Sequence, residues 1–150
     1  MTNAGDRIVA AASHDFAVSA EKVFDAWLDP ELVRRWMGRA LAESAPGTVL
    51  QDVRIDAREG GELWLVDSRD PAQTTPTGTF VELDRPRRLV FTWLPADGEH
   101  SVVSIDIEPT ATGCTLVLRH EMEAEWQEHL ERTQETWARM VRRLADAIGT

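Results

Sequence analysis

Hydrophobic and polar positions along the chain change period three times, and each change marks a new kind of element. From Ile8 to Val18 the alternation is twofold, with Ile8, Ala10, Ala12 and Phe16 on one parity, which predicts a strand. His14 shares that parity and is read as part of a strand edge rather than of a catalytic site. Ser19 then offers an N-cap with Glu21 in the first turn, and Val23, Phe24, Trp27 and Leu28 recur at helical intervals. Asp29-Pro30 ends this helix, because the residue before a proline is pushed out of the helical region. It also starts a second one, with proline at the first helical position and Leu32, Val33, Trp36 and Met37 as the apolar face, stopped by Gly38. Two short helices therefore form an elbow.

Beyond the elbow, six strand-length segments follow: Thr48 to Ala57, Glu62 to Asp67, Gly78 to Leu83, Arg88 to Leu94, Ser101 to Glu108 and Gly113 to His120. Reversals separate them at Gly60-Gly61, at the proline within Asp84 to Arg87, at Asp97-Gly98 and at Pro109 to Gly113, which predicts an antiparallel meander. Ser68 to Thr77 is long and polar enough to be a candidate lid. Val103, Ile105 and Ile107 define one inward face, and Leu116, Leu118 and His120 a second. Parity does not separate Trp64 and Val66 from Leu63 and Leu65, nor Phe91 and Trp93 from Val90, Thr92 and Leu94, because these runs are apolar on both sides.

The last period is helical again. Trp126, Leu130, Trp137, Val141, Leu144 and Ile148 fall on one face of a helix that would be about 34 Å long. Glutamates crowd its first half, and Arg139, Arg142 and Arg143 its second, as the helix dipole favours. The class is α+β: a seven-stranded sheet curled around one long C-terminal helix, with a space between them wherever the curvature exceeds what side chains fill.

Length and charge narrow the function more than the fold. The chain, residues 1–150, reads as one domain with its core between 8 and 148. A net charge of −10, from 16 basic and 26 acidic residues, argues against nucleic acid and anionic membrane surfaces as partners. Cys114 is the sole cysteine, the N-terminal stretch lacks the apolar run of a signal peptide, and no stretch is long and apolar enough to span a bilayer, so a cytoplasmic location is expected.

Catalytic patterns are sparse. Ser13-His14-Asp15 lie consecutively on a strand and point to alternate faces, so they assemble no triad, and no GxSxG elbow is present. The histidines (His14, His100, His120, His129) show no metal-binding spacing beyond the helical pair Glu125 and His129, which more often solvates a surface, and Gly60-Gly61 lacks the rest of a phosphate loop. Arg58, Glu59 and Glu62 beside it read as a solvated rim. No metal and no cofactor is expected.

Taken in order, VFDAWLDPELVRRWMG, REGGELW, TGTFVELDRPRRLVFTW, TLVLRHE and TWARMVRRLADAIG resemble the family named for the activator of the heat-shock protein 90 ATPase, within the START-like, helix-grip superfamily called SRPBCC. The resemblance spans nearly all of Ile8 to Ile148. It implies a cavity that in relatives takes lipids, sterols, hormones or polyketides, and in a few supports cyclisation or hydrolysis. The motifs themselves read as fold determinants.

The leading expectation is a small-molecule binding module for an apolar or amphipathic ligand, lined by Trp36, Trp64, Phe80, Trp93, Leu118, His120, Trp137 and Met140, with His120 as polar anchor. A cavity enzyme of the cyclase or hydrolase kind, with His120 as general base, is the alternative, and a chaperone-interacting module a third. A homodimer is compatible with all three.

Overall fold

A computed structural model describes residues 7–68, 72–74, 76–93 and 101–149, with backbone alone at 7 and 124–126. The elements are β1 (Arg7–Phe16), α1 (Ala20–Ala26), α2 (Pro30–Ser44), β2 (Leu50–Ile55), β3 (Glu62–Asp67), β4 (Gly78–Asp84), β5 (Arg88–Trp93), β6 (Ser101–Pro109), β7 (Cys114–Glu123), a 3-10 segment (Ala124–His129) and α3 (Leu130–Ile148). The Asp97-Gly98 turn lies outside the described residues, as do Arg69, Asp70, Pro71 and Thr75 of the expected lid.

Local chemistry sets the elbow. The Ser19 hydroxyl accepts from the Lys22 amide at 3.2 Å, and the Asp29 carboxylate accepts from the Glu31 and Leu32 amides at 3.0 and 3.3 Å, so both helix starts have side-chain caps. The second helix is not short. It runs 15 residues, through Gly38, to the turn before Pro46. A glycine stops a helix when it takes a left-handed conformation, and Gly38 is not among the positive-φ residues; the Arg39 to Glu43 stretch that follows is rich in good helix formers.

All seven strands join one antiparallel sheet in the order β1-β7-β6-β5-β4-β3-β2. Its centre is in strict register: Val103 faces His120, Ile105 faces Leu118 and Ile107 faces Leu116, and on the other side of β7 these same residues meet Ala10, Ala12 and His14. From Ser101 to Ile107 and from Cys114 to Met122 the inward parity is buried, while Ala12 and His14 on the edge strand β1 are half-buried, so alternation places the core on one face. β3 and β4 are joined by only two residue pairs, Glu62 with Thr79 and Leu63 with Gly78; past them the Thr77 hydroxyl accepts from the Leu65 amide at 2.9 Å.

The long helix starts later than the apolar stripe suggests. Ala124–His129 is 3-10, and α3 begins at Leu130, about 28 Å long. His129, at the N-cap, makes no side-chain cap, and a tighter turn commonly precedes an uncapped start. The Trp126 side chain lies outside the described residues. Trp137, Met140, Val141, Leu144, Ala145 and Ile148 bury α3 against the sheet and α2. Not all its arginines face solvent alone: Arg143 makes paired bonds to Glu43 at 2.6 and 2.9 Å, and Arg139 donates to Ser44 at 2.7 Å, tying α3 to the end of α2.

Candidate functional site

Beneath α3 the inner face carries a connected run of aromatic rings. Trp36 meets Trp27 edge-on with centroids 4.8 Å apart, Trp27 lies 6.4 Å from Phe91, Phe91 lies 6.2 Å from Phe80 and 6.1 Å from Trp93, and Trp93 lies 5.3 Å from Trp137. The run therefore connects the elbow, β4, β5 and α3. Each ring can contribute about 0.5–1.5 kcal/mol per pair beyond the area it buries. Leu118 and Met140 belong to the same core, Leu118 two positions before His120 on β7 and Met140 nearly one turn after Trp137.

His120 closes the run, its ring centred 5.7 Å from Trp137. Trp137 Nε1–H donates to His120 Nδ1 at 2.9 Å, and His120 Nε2 lies 2.7 Å from the Ser101 hydroxyl, which donates to the Trp93 carbonyl at 2.8 Å. An indole nitrogen only donates, so Nδ1 is the acceptor and the neutral imidazole carries its proton on Nε2. Nε2–H then donates to Ser101. A chain of hydrogen bonds thus passes from α3 through β7 and β6 to β5, fixing the Trp137 indole and ending on the backbone carbonyl of Trp93. With its proton on Nε2, this imidazole is a donor toward Ser101 and not a base for it.

Seven of the eight expected lining residues come together here. Trp64 does not. In β3 the inward parity belongs to Leu63 and Leu65, and Trp64 points to the outer face, where the Arg54 guanidinium lies 5.8 Å from its ring centre and Glu62 accepts its indole N–H at 3.3 Å. It lines an outer groove of about 480 Å³ with Arg54, Arg58 and the Gly60-Gly61 turn. The expected polar anchor, His120, has partners for both ring nitrogens inside the protein. Cys114 offers no nucleophile, since burial pushes its thiol up and keeps it protonated.

The family model described as activator of Hsp90 ATPase homolog 1-like protein matches residues 17–149. The chain belongs to this family. Solved structures similar to this family member include a Nitrosomonas europaea protein, 23% identical, with a TM-score of 0.73 and 94% of each chain covered. An Aeromonas hydrophila AHSA1-like protein is 18% identical with a TM-score of 0.66, over 94% of this chain and 92% of that one. DynU16, a protein in the dynemicin biosynthetic locus, is 16% identical with a TM-score of 0.72, over 95% of this chain and 47% of that one. These likenesses show the fold, a curved seven-stranded antiparallel sheet with a long C-terminal helix. No curated protein matches the sequence. Among the described residues no helix is long and apolar enough to cross a membrane.

Two residues of this AHSA1-like site escape a reading of the sequence. Ser101 shares the parity of Val103 and Ile105, so its inward direction was available, but its partner was not. Trp27, the C-cap of α1, is only 4% exposed, and its indole N–H has no hydrogen-bond partner among the described residues. Nothing in helical periodicity distinguishes it from Trp36, whose N–H donates to the Ala26 carbonyl at 3.2 Å.

Proposed function

We propose that the protein is a small-molecule binding module whose mostly apolar ligand lies between the inner face of the sheet and α3, against Trp36, Phe80, Trp93, Leu118, Trp137 and Met140. The observation that carries this reading is the aromatic run itself, five elements long and anchored at its α3 end by the His120 and Ser101 hydrogen bonds. Rigid aromatic walls with few polar groups suit an apolar guest. His120 acts in it as a positioning residue, fixing the Trp137 indole. The same hydrogen bonds weigh against the enzyme reading, because a general base at His120 needs the tautomer that Trp137 opposes. The dynemicin-locus relative lends support, being encoded in a locus for making a small molecule. No cofactor or metal is needed for binding, and a cytoplasmic location for one domain spanning the chain fits this role.

The description of the family favours a second reading, a module that acts on a heat-shock protein 90 chaperone. One experiment separates the two. The neutral fluorophore N-phenyl-1-naphthylamine, titrated into the protein, should bind saturably at one site with energy transfer from tryptophan. Absence of saturable binding, together with stimulation of a chaperone ATPase by the pure chain, would replace the first reading by the second.

A further inference from the structure

Among the described residues, the buried polar side chains Thr48, Ser101 and His120 all hydrogen bond, Thr48 to the Ala45 carbonyl at 2.7 Å. The Trp27 indole N–H is the exception: it is the buried side-chain polar atom left without a partner. Folded proteins keep few such groups, because an unpaired donor loses its bond to water and gains nothing in return. Trp27 is also where the aromatic run turns from the elbow into the sheet, edge-on to Trp36 at 4.8 Å and 6.4 Å from Phe91. A ring face is at most a second-order acceptor for it. The satisfied N–H of Trp36, its close neighbour, shows that the local backbone can supply an acceptor to one indole and does not supply one to the other.

We propose that Trp27 is the hydrogen-bond donor of the ligand site, and that it selects a neutral apolar molecule carrying an acceptor oxygen such as a ketone or ether. The inference rests on the binding reading above and adds the polar group that reading lacks. Charge is disfavoured at this position. The buried residues of the core cluster are apolar, and the nearest acid on α1, Asp25, is exposed and paired with Arg85. A carboxylate ligand would therefore be desolvated there without a compensating cation. A neutral oxygen needs only the one donor.

The test uses a matched pair of probes, 9-fluorenone and its hydrocarbon counterpart fluorene, on the full chain. Binding is followed by fluorescence and by the indole N–H resonances of the six tryptophans. Fluorenone should bind about tenfold or more tightly than fluorene. It should move the Trp27 N–H resonance downfield, which fluorene should not do. Trp27→Phe should bring the two affinities together, because it weakens fluorenone binding more than fluorene binding. The resonance shift is measured on the native chain, so it decides the matter even if the variant folds poorly. Equal affinities with an unmoved Trp27 resonance would overturn the role of Trp27 and leave the binding reading standing. Binding of neither probe would overturn both.

Discussion

Replacing His120 by leucine removes the acceptor of the buried Trp137 indole and a partner of Ser101, the serine that bonds the Trp93 backbone carbonyl. Trp137 is 2% exposed and its N–H has His120 Nδ1 as acceptor at 2.9 Å, so leaving that donor buried and unpaired costs about 1–3 kcal/mol. Ser101 keeps its bond to the Trp93 carbonyl at 2.8 Å and loses the one from His120, a further cost of about 1 kcal/mol. Leucine has a similar volume, and its apolar burial returns part of this, so the net expectation is a loss of about 2–3 kcal/mol. Urea denaturation should show the loss as a lower midpoint with an unchanged slope. The decisive comparison is a double-mutant cycle with Trp137→Phe, which deletes the same N–H. In the double variant no orphaned donor remains, so the two effects should fall short of additivity by about 1 kcal/mol or more. A His120→Leu cost below about 0.5 kcal/mol with an additive cycle would refute the hydrogen-bond chain.

Three further outcomes follow from packing and charge. Trp137→Ala should destabilise by about 3–5 kcal/mol, while Arg142→Ala, on the exposed side of α3, should stay within about 0.5 kcal/mol, both measured by denaturant midpoint. Gly61→Ala should cost about 1–3 kcal/mol, because its Cβ would lie 2.1 Å from the Asp56 carbonyl in the turn before β3; unchanged thermal stability would contradict this. Hydrogen bonds from Arg85, at 2.8 Å to each carboxylate oxygen, hold the Asp25 carboxyl below its usual range. The pair therefore stabilises fully above about pH 4 and loses its effect as the pH falls through the lowered folded-state value. With both side chains more than half exposed, Asp25→Asn should cost about 0.2–1 kcal/mol at pH 7 and progressively less as the pH is lowered below about 4, and a cost independent of pH would be inconsistent with the ion pair.

Much of this architecture is legible in the residues because simple periods dominate it. Val103, Ile105 and Ile107 alternate cleanly with polar neighbours, and Asp29-Pro30 both ends one helix and begins the next, so sheet and elbow follow from steric rules. Legibility failed where one residue type has two meanings. Gly38 reads as a stop, yet a glycine without positive φ is simply a weak helix residue, and α2 continues to Ser44. Trp64 could not be assigned to a face because Leu63, Leu65 and Val66 are apolar as well; the neighbours that draw it outward, Arg54 and Glu62, are visible only once β2 and β3 are paired. His120 was correctly directed inward by parity. What its two nitrogens meet depends on α3 and β6 packing against β7, and no local pattern encodes that.

Native mass spectrometry of the protein purified from its own cells, followed by solvent extraction, tests the central claim most directly. A fraction of the protein should carry one additional small mass, released by organic solvent, belonging to a neutral apolar molecule with at least one acceptor oxygen. A bare chain that also fails to take up fluorenone or N-phenyl-1-naphthylamine would contradict the account.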